Sequence, residues 1–301
     1  MSERGDGVDI LKAFIMGVIQ GLTEFLPISS SGHLSLFSHF FNIDTEISGL
    51  YSSMLHIGSL VAILVFFYKT IYELFIEFTL CIKDISKKRF TFNSKKISTT
   101  RKMLFMFVIS CIPLLFLFFP VKDGKNVIEA VEAFSSDDSI LAEGICFIIT
   151  GVFLLLGVFV DNTRKRKRNV GPAPAFLIGI AQTIAACFPG ISRSGTTIST
   201  GLICGVSRKN MIMYSFILSI PTIFAAGLIE FIDAMQVPTF IPVFPLIVGV
   251  VTSAVVGIFS ISLLKFLLKK NKFKYFGYYC VSLGAITTII GIVETLMNKG
   301  V

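Results

Sequence analysis

Charge is scarce in this 301-residue chain: only 15% of its residues are Asp, Glu, Lys or Arg. Six stretches run almost without charge, at about 49–68, 103–120, 144–160, 211–230, 243–264 and 275–296. Each is close to the ~20 residues that a helix needs to cross a bilayer. With 53% apolar residues, such a chain is not a soluble domain but a polytopic membrane protein. The six cysteines (Cys81, Cys111, Cys146, Cys187, Cys204, Cys280) form no CxxC pair, and no histidine stands at metal-site spacing. That pattern speaks against a disulfide framework or a zinc site and leaves the thiols as packing residues. The opening MSERGDGVDILK mixes acids with bases and leads into apolar sequence with no small-residue cleavage site, so it does not read as a removed signal peptide.

The charge that is present is sorted. The formal net charge is +8, and the run RKRKR at 164–168 looks like a nucleic-acid or targeting patch. Position argues against nucleic acid. Loops 82–102, 161–169 and 265–274 hold 18 of the 27 Lys and Arg, whereas 121–143 has two Lys against six acids and 231–242 has only Asp233. By the positive-inside rule the three basic loops face the cytoplasm and the other two face outside.

Two segments then lack a place, roughly 8–48 and 174–208. The second begins and ends on the cytoplasmic side, so it is expected to be a re-entrant hairpin. The two segments are copies: Gly17, Gln20 and Pro27 match Gly179, Gln182 and Pro189 at a spacing of 162. After the extra Gly190 the spacing is 163, and Ile28, Ser29, Ser31 and Gly32 match Ile191, Ser192, Ser194 and Gly195. Leu55 and Ile57 keep it with Leu218 and Ile220. The expected fold is therefore all-α, with six transmembrane helices and two re-entrant helical hairpins. Residues 1–160 and 161–301 form two inverted-topology repeats of one integral membrane domain.

Both hairpins break at Pro and restart in Ser-rich sequence. A helix N-terminus inside the membrane offers free backbone N–H groups and attracts anions. Intramembrane ionisable residues are costly and usually functional, and here they are Arg193 on one tip, with Glu24 and His33 on the other. Arg193 suits phosphate oxygens through its planar fork, and Ser192, Ser194 and Thr197 add hydroxyls. Ser29 and Ser31 belong to the matching tip. Gln20 and Glu24 share a helical face, where a carboxylate and an amide oxygen suit a hard divalent cation, Mg2+ or Ca2+. Ser30 and His33, three residues apart, suit a nucleophile and its base. Ser30, His33 itself and a metal-held water all remain open as the attacking group. His39 and His56 are read as packing histidines.

GVIQGLTEFLPISSSGHL together with FPGISRSGTT resembles the undecaprenyl-diphosphatase family of the bacitracin-resistance type, and a looser likeness covers nearly the whole chain. The resemblance implies hydrolysis of undecaprenyl diphosphate to undecaprenyl phosphate with a divalent cation. It implies a bacterial cell membrane, a site open to the outside, a polyprenyl diphosphate lipid as substrate, and a homodimer by analogy. It carries the roles of acidic segment onto Gln20 and Glu24, of nucleophile and partner onto Ser30 and His33, and of phosphate binding onto Ser192, Arg193 and Thr197. Gln20 departs from members that have Glu there. The rival reading is a polyprenyl-phosphate flippase, since inverted repeats with broken helices also build transporters.

Overall fold

The computed structural model describes residues 8–43, 45–88, 97–120, 127, 140–163, 169–188, 190–234, 242–269 and 272–298. The basic run 164–168, Pro189 and most of the loops at 121–143 and 231–242 lie outside them. Among the described residues the fold is helical. In chain order it has α1 (Ile10–Thr23), α2 (Ser30–Phe40), α3 (Thr45–Phe66), α4 (Tyr68–Ser86) and α5 (Thr99–Cys111), with α5 tightening to a 3-10 turn at Ile112–Phe118. Then come α6 (Leu141–Thr163), α7 (Pro172–Cys187), α8 (Arg193–Ile203), α9 (Arg208–Ala234), α10 (Val243–Lys269) and α11 (Lys274–Asn298).

Local sequence explains the boundaries. Asp9 caps α1 by accepting from the Lys12 amide at 2.7 Å, and Ser98 caps α5 by accepting from the Arg101 amide at 3.0 Å. Pro172 opens α7 at a position where its missing N–H costs nothing. Pro113 lies at the start of the stretch where α5 gives way to the 3-10 turn.

Helices Thr99–Phe118, Leu141–Thr163, Val243–Leu267 and Lys274–Met297 are each long and apolar enough to cross a membrane. A fifth span is added if α3 and α4, bent by 83° at Phe67, count as one. The sequence alone assigns no helix to 69–81 and reads 82–102 as a loop, whereas α4 runs through that stretch to Ser86. Its charges Glu77 and Asp84 both accept from Arg101 at the start of α5, the second at 2.8 Å, so they are tied to a neighbouring helix rather than left unpaired.

Packing repeats along the chain. α1 lies on α10 and its counterpart α7 lies on α5, each at a glycine matched by the 162 spacing. A Cβ on Gly17 would stand 2.5 Å from the Gly249 carbonyl, and one on Gly179 would stand 2.5 Å from the Ser110 carbonyl. The most extensive pairing is α6 with α11, where a Cβ on Gly284 would meet the Gly144 carbonyl at 2.6 Å. The central core joins Phe25, Phe67, Ile198, Phe216, Leu264 and Phe273, which draws both broken helices against α3, α9 and α10.

Candidate active site

The breaks after α1 and after α7 end in serine-capped turns of the same design. Ser29 Oγ accepts from the Gly32 amide at 3.2 Å, and Ser192 Oγ accepts from the Gly195 amide at 3.0 Å. A second hydroxyl follows each cap, Ser31 at 3.4 Å and Ser194 at 3.3 Å. Ser29 adopts φ 72°, a left-handed backbone that L-residues with side chains avoid and that costs on the order of 1–3 kcal/mol. Gly190, the extra residue of the second tip, takes φ 99° without that cost.

The two tips meet across a seam. The Gly190 amide donates to Ser31 Oγ at 3.2 Å, Ser194 Oγ donates to the Leu26 carbonyl at 3.4 Å, and Arg193 Nη2 donates to Glu24 Oε1. Over the seam lies a cavity of about 230 Å³, lined by α1, α2, α3, α7, α8 and α9. Glu24 is 5% exposed, and a carboxylate so placed needs donors. Besides Arg193 it accepts from Ser30 Oγ at 2.7 Å and from Gln20 Nε2 at 3.1 Å, and His56 Nε2 lies 3.5 Å from its Oε2. Arg193 is oriented by donating from Nη1 to Thr222 Oγ1 at 2.7 Å and to the Ser219 carbonyl at 3.3 Å.

Glu24, Ser29, Ser30, Ser31, Ser192, Arg193 and Ser194 thus line one cavity. Three residues of the sequence reading are placed differently. His33 does not face Ser30: its Nδ1 lies 2.6 Å from the Ser29 carbonyl one turn back, and its Nε2 lies 2.8 Å from the Tyr279 hydroxyl. Ser30 turns to Glu24 instead, because the carboxylate is the stronger acceptor within reach. Thr197 is buried away from the cavity, bonded to the Arg193 carbonyl at 2.9 Å and to Ser215 Oγ at 2.7 Å. Gln20 turns its amide nitrogen, not its oxygen, to Glu24 and Ser59, and its Oε1 is buried without a hydrogen-bond partner. Two residues were missed. His56 sits in the cavity, and Thr222 holds Arg193. The internal repeat contained a signal for the second, since the 163 spacing aligns Thr222 with Ser59, which bonds Gln20.

Among the described residues no three His, Cys, Asp or Glu side chains stand close enough to hold a metal by themselves. The donor set fits a cation that takes one carboxylate, Glu24, and draws its other ligands from bound phosphate oxygens and water. It does not fit a cage in which Gln20 is a ligand as oriented.

Fold and site together define a helical, multi-pass membrane protein with a polar seam, bridged by Arg193 and Glu24, between two broken helices. Residues 13–286 match the family described as Bacitracin resistance protein BacA, and the chain belongs to that family. It is 36% identical over 287 residues to a Methanosphaera stadtmanae protein named undecaprenyl-diphosphatase, covering 95% of this chain and 99% of that one. It is 37% identical to a Thermosipho africanus protein of the same name, over 92% of this chain and 98% of the relative. A Bacillus cereus protein named undecaprenyl-diphosphatase 4 is 35% identical over 92% of this chain and 95% of its own length.

Proposed function

We infer that this chain hydrolyses undecaprenyl diphosphate to undecaprenyl phosphate and inorganic phosphate, which recycles the cell-wall lipid carrier and counters bacitracin. One observation carries the reading: Ser30 Oγ and Arg193 are held on the two oxygens of the same buried carboxylate, Glu24, inside one polar cavity. Transport of an anion has no use for a hydroxyl bonded to a base.

The geometry supports a two-step route. Glu24 Oε2 takes the Ser30 proton as Oγ attacks the terminal phosphorus, and the P–O bond to the prenyl phosphate breaks, its electron pair leaving on that oxygen. Glu24 returns the proton to the leaving oxygen and is again a carboxylate when water attacks the phosphoserine. It then takes the water's proton and gives it to Ser30 Oγ as phosphate departs. Arg193 and the amides at the starts of α2 and α8 hold the charged oxygens throughout. A divalent cation, Mg2+ or Ca2+, held by Glu24 would neutralise part of the diphosphate charge.

We propose six crossings, with α3 and α9 joining the four independent spans, and with α1–α2 and α7–α8 as re-entrant hairpins. α9 supports this: no Asp, Glu, Lys or Arg occurs from Asn210 to Ile229. The charge-sorted loops support two repeats of opposite sense, with the α1–α2 hairpin on the outer side of a bacterial cell membrane.

Phosphate release from a long-chain polyprenyl diphosphate by purified protein, with and without a chelator, tests the assignment. Release that the chelator suppresses is expected. No release with any divalent cation would favour the flippase.

A further inference from the structure

The cavity accounts for a diphosphate but not for the long isoprenoid tail that must stay in lipid while the headgroup reacts. Resting on the diphosphatase reading, we propose that the tail leaves the site sideways, between the end of α7 and the middle of α9, across Ala185, Ala186 and Ile223.

Three observations converge on this seam. The cavity wall includes Ala185 and Ala186 from α7 together with Thr222 and Ile223 from α9. Ala186 lines the cavity and is also exposed, so it stands at the mouth rather than the floor. The residues beside these in sequence are apolar and open: Phe188, two after Ala186, is 44% exposed and Phe224, next to Ile223, is 61% exposed. This is a surface for a hydrocarbon chain and not for water.

The second observation is a broken symmetry. α1 packs against α3, yet their counterparts α7 and α9 share almost no direct contact. The third is a substitution within the repeat. At the 162 spacing Ala185 stands where the first tip has Thr23, and Ala186 stands where it has Glu24. One copy of the motif supplies the reacting carboxylate, and the other supplies room. An alanine pair at the end of a half-helix gives the first isoprene units a path about one side chain wide, with the diphosphate still on Arg193 at the adjoining tip.

The deciding experiment uses the full chain in detergent with a long-chain polyprenyl diphosphate carrying a photoreactive diazirine in its first isoprene units. Labelling is expected within 184–188 and at Ile223 and Phe224. Labelling confined to α1, α3 or α10 would overturn the proposal. The second arm is Ala186→Phe, which narrows the mouth without touching a reacting group. KM for the long-chain substrate is expected to rise at least tenfold with kcat within twofold. A fall in kcat at unchanged KM, or no change in either, also counts against the path. If the unaltered chain released no phosphate at all, the diphosphatase reading would fail, while the labelling pattern would still report where a prenyl chain lies.

Discussion

Glu24 is shared by four neighbours, and this sharing sets what single substitutions should do. Glu24→Gln keeps the shape but removes both the base and the counter-charge. A positioned base contributes about 10²–10⁴-fold, so kcat should fall within that range and its dependence on divalent cation should flatten; near wild-type kcat with an unchanged metal titration would make the carboxylate structural. Arg193→Lys keeps charge but loses the fork that reaches Glu24 and Thr222 together. The expected loss is about 1.5–3 kcal/mol, or roughly tenfold to a hundredfold in kcat/KM, with Arg193→Ala lower still and folded by thermal melt. Tyr279→Phe removes only the partner of His33 Nε2. It should cost severalfold, well short of Ser30→Ala, and equal losses in phosphate release would return His33 to the reacting groups. The sequence made Glu24, Ser30 and Arg193 legible because polar groups inside apolar sequence need a reason. The structure does not bring His33 to Ser30, because spacing shows which side chains share a turn, not which acceptor each chooses, and the Ser29 carbonyl claims the imidazole. His56 was hidden inside a span, where one histidine among apolar residues carries no periodic signal.

At the scale of helices, the α6–α11 contact offers a sharp test. The Gly284 Cα faces backbone, with the Gly144 carbonyl at 2.6 Å and the Ile148 amide at 2.7 Å from an added Cβ, and backbone cannot rotate aside. Gly284→Val should destabilise the protein by about 1–3 kcal/mol, seen as a lowered melting temperature in detergent. Gly49→Ala, with nothing within 4 Å of the added methyl, should melt like the parent. The breaks in both hairpins were readable from Pro and Ser, as were the long apolar helices. α4 was not, because Lys69, Glu73, Glu77, Lys83 and Asp84 look like a loop until Arg101 is seen to gather two of the acids.

For the whole molecule, the internal spacing of 162 and then 163 residues pairs α1 with α7 and α3 with α9 by sequence, and α1 and α7 pack at their matched glycines on α10 and α5. What spacing could not foretell is the difference between the copies, since it depends on how far α7 and α9 diverge in space. The orientation is checked by cysteine labelling in intact cells: a Cys at Lys167 should be shielded from a membrane-impermeant thiol reagent and one at Lys125 should react, and the reverse pattern would invert the topology. The ties across the seam bear on a further question, how the two repeats could move. Rocking one past the other would part Ser31 from Gly190, Ser194 from Leu26 and Arg193 from Glu24 in the same motion. Breaking a buried ion pair alone costs about 3–5 kcal/mol when one partner is left bare. A bound diphosphate would offer Arg193 a replacement anion and undo that ion pair, but the α1–α10 and α6–α11 contacts also join the two repeats and would still hold them together, which suits a site that reacts in place.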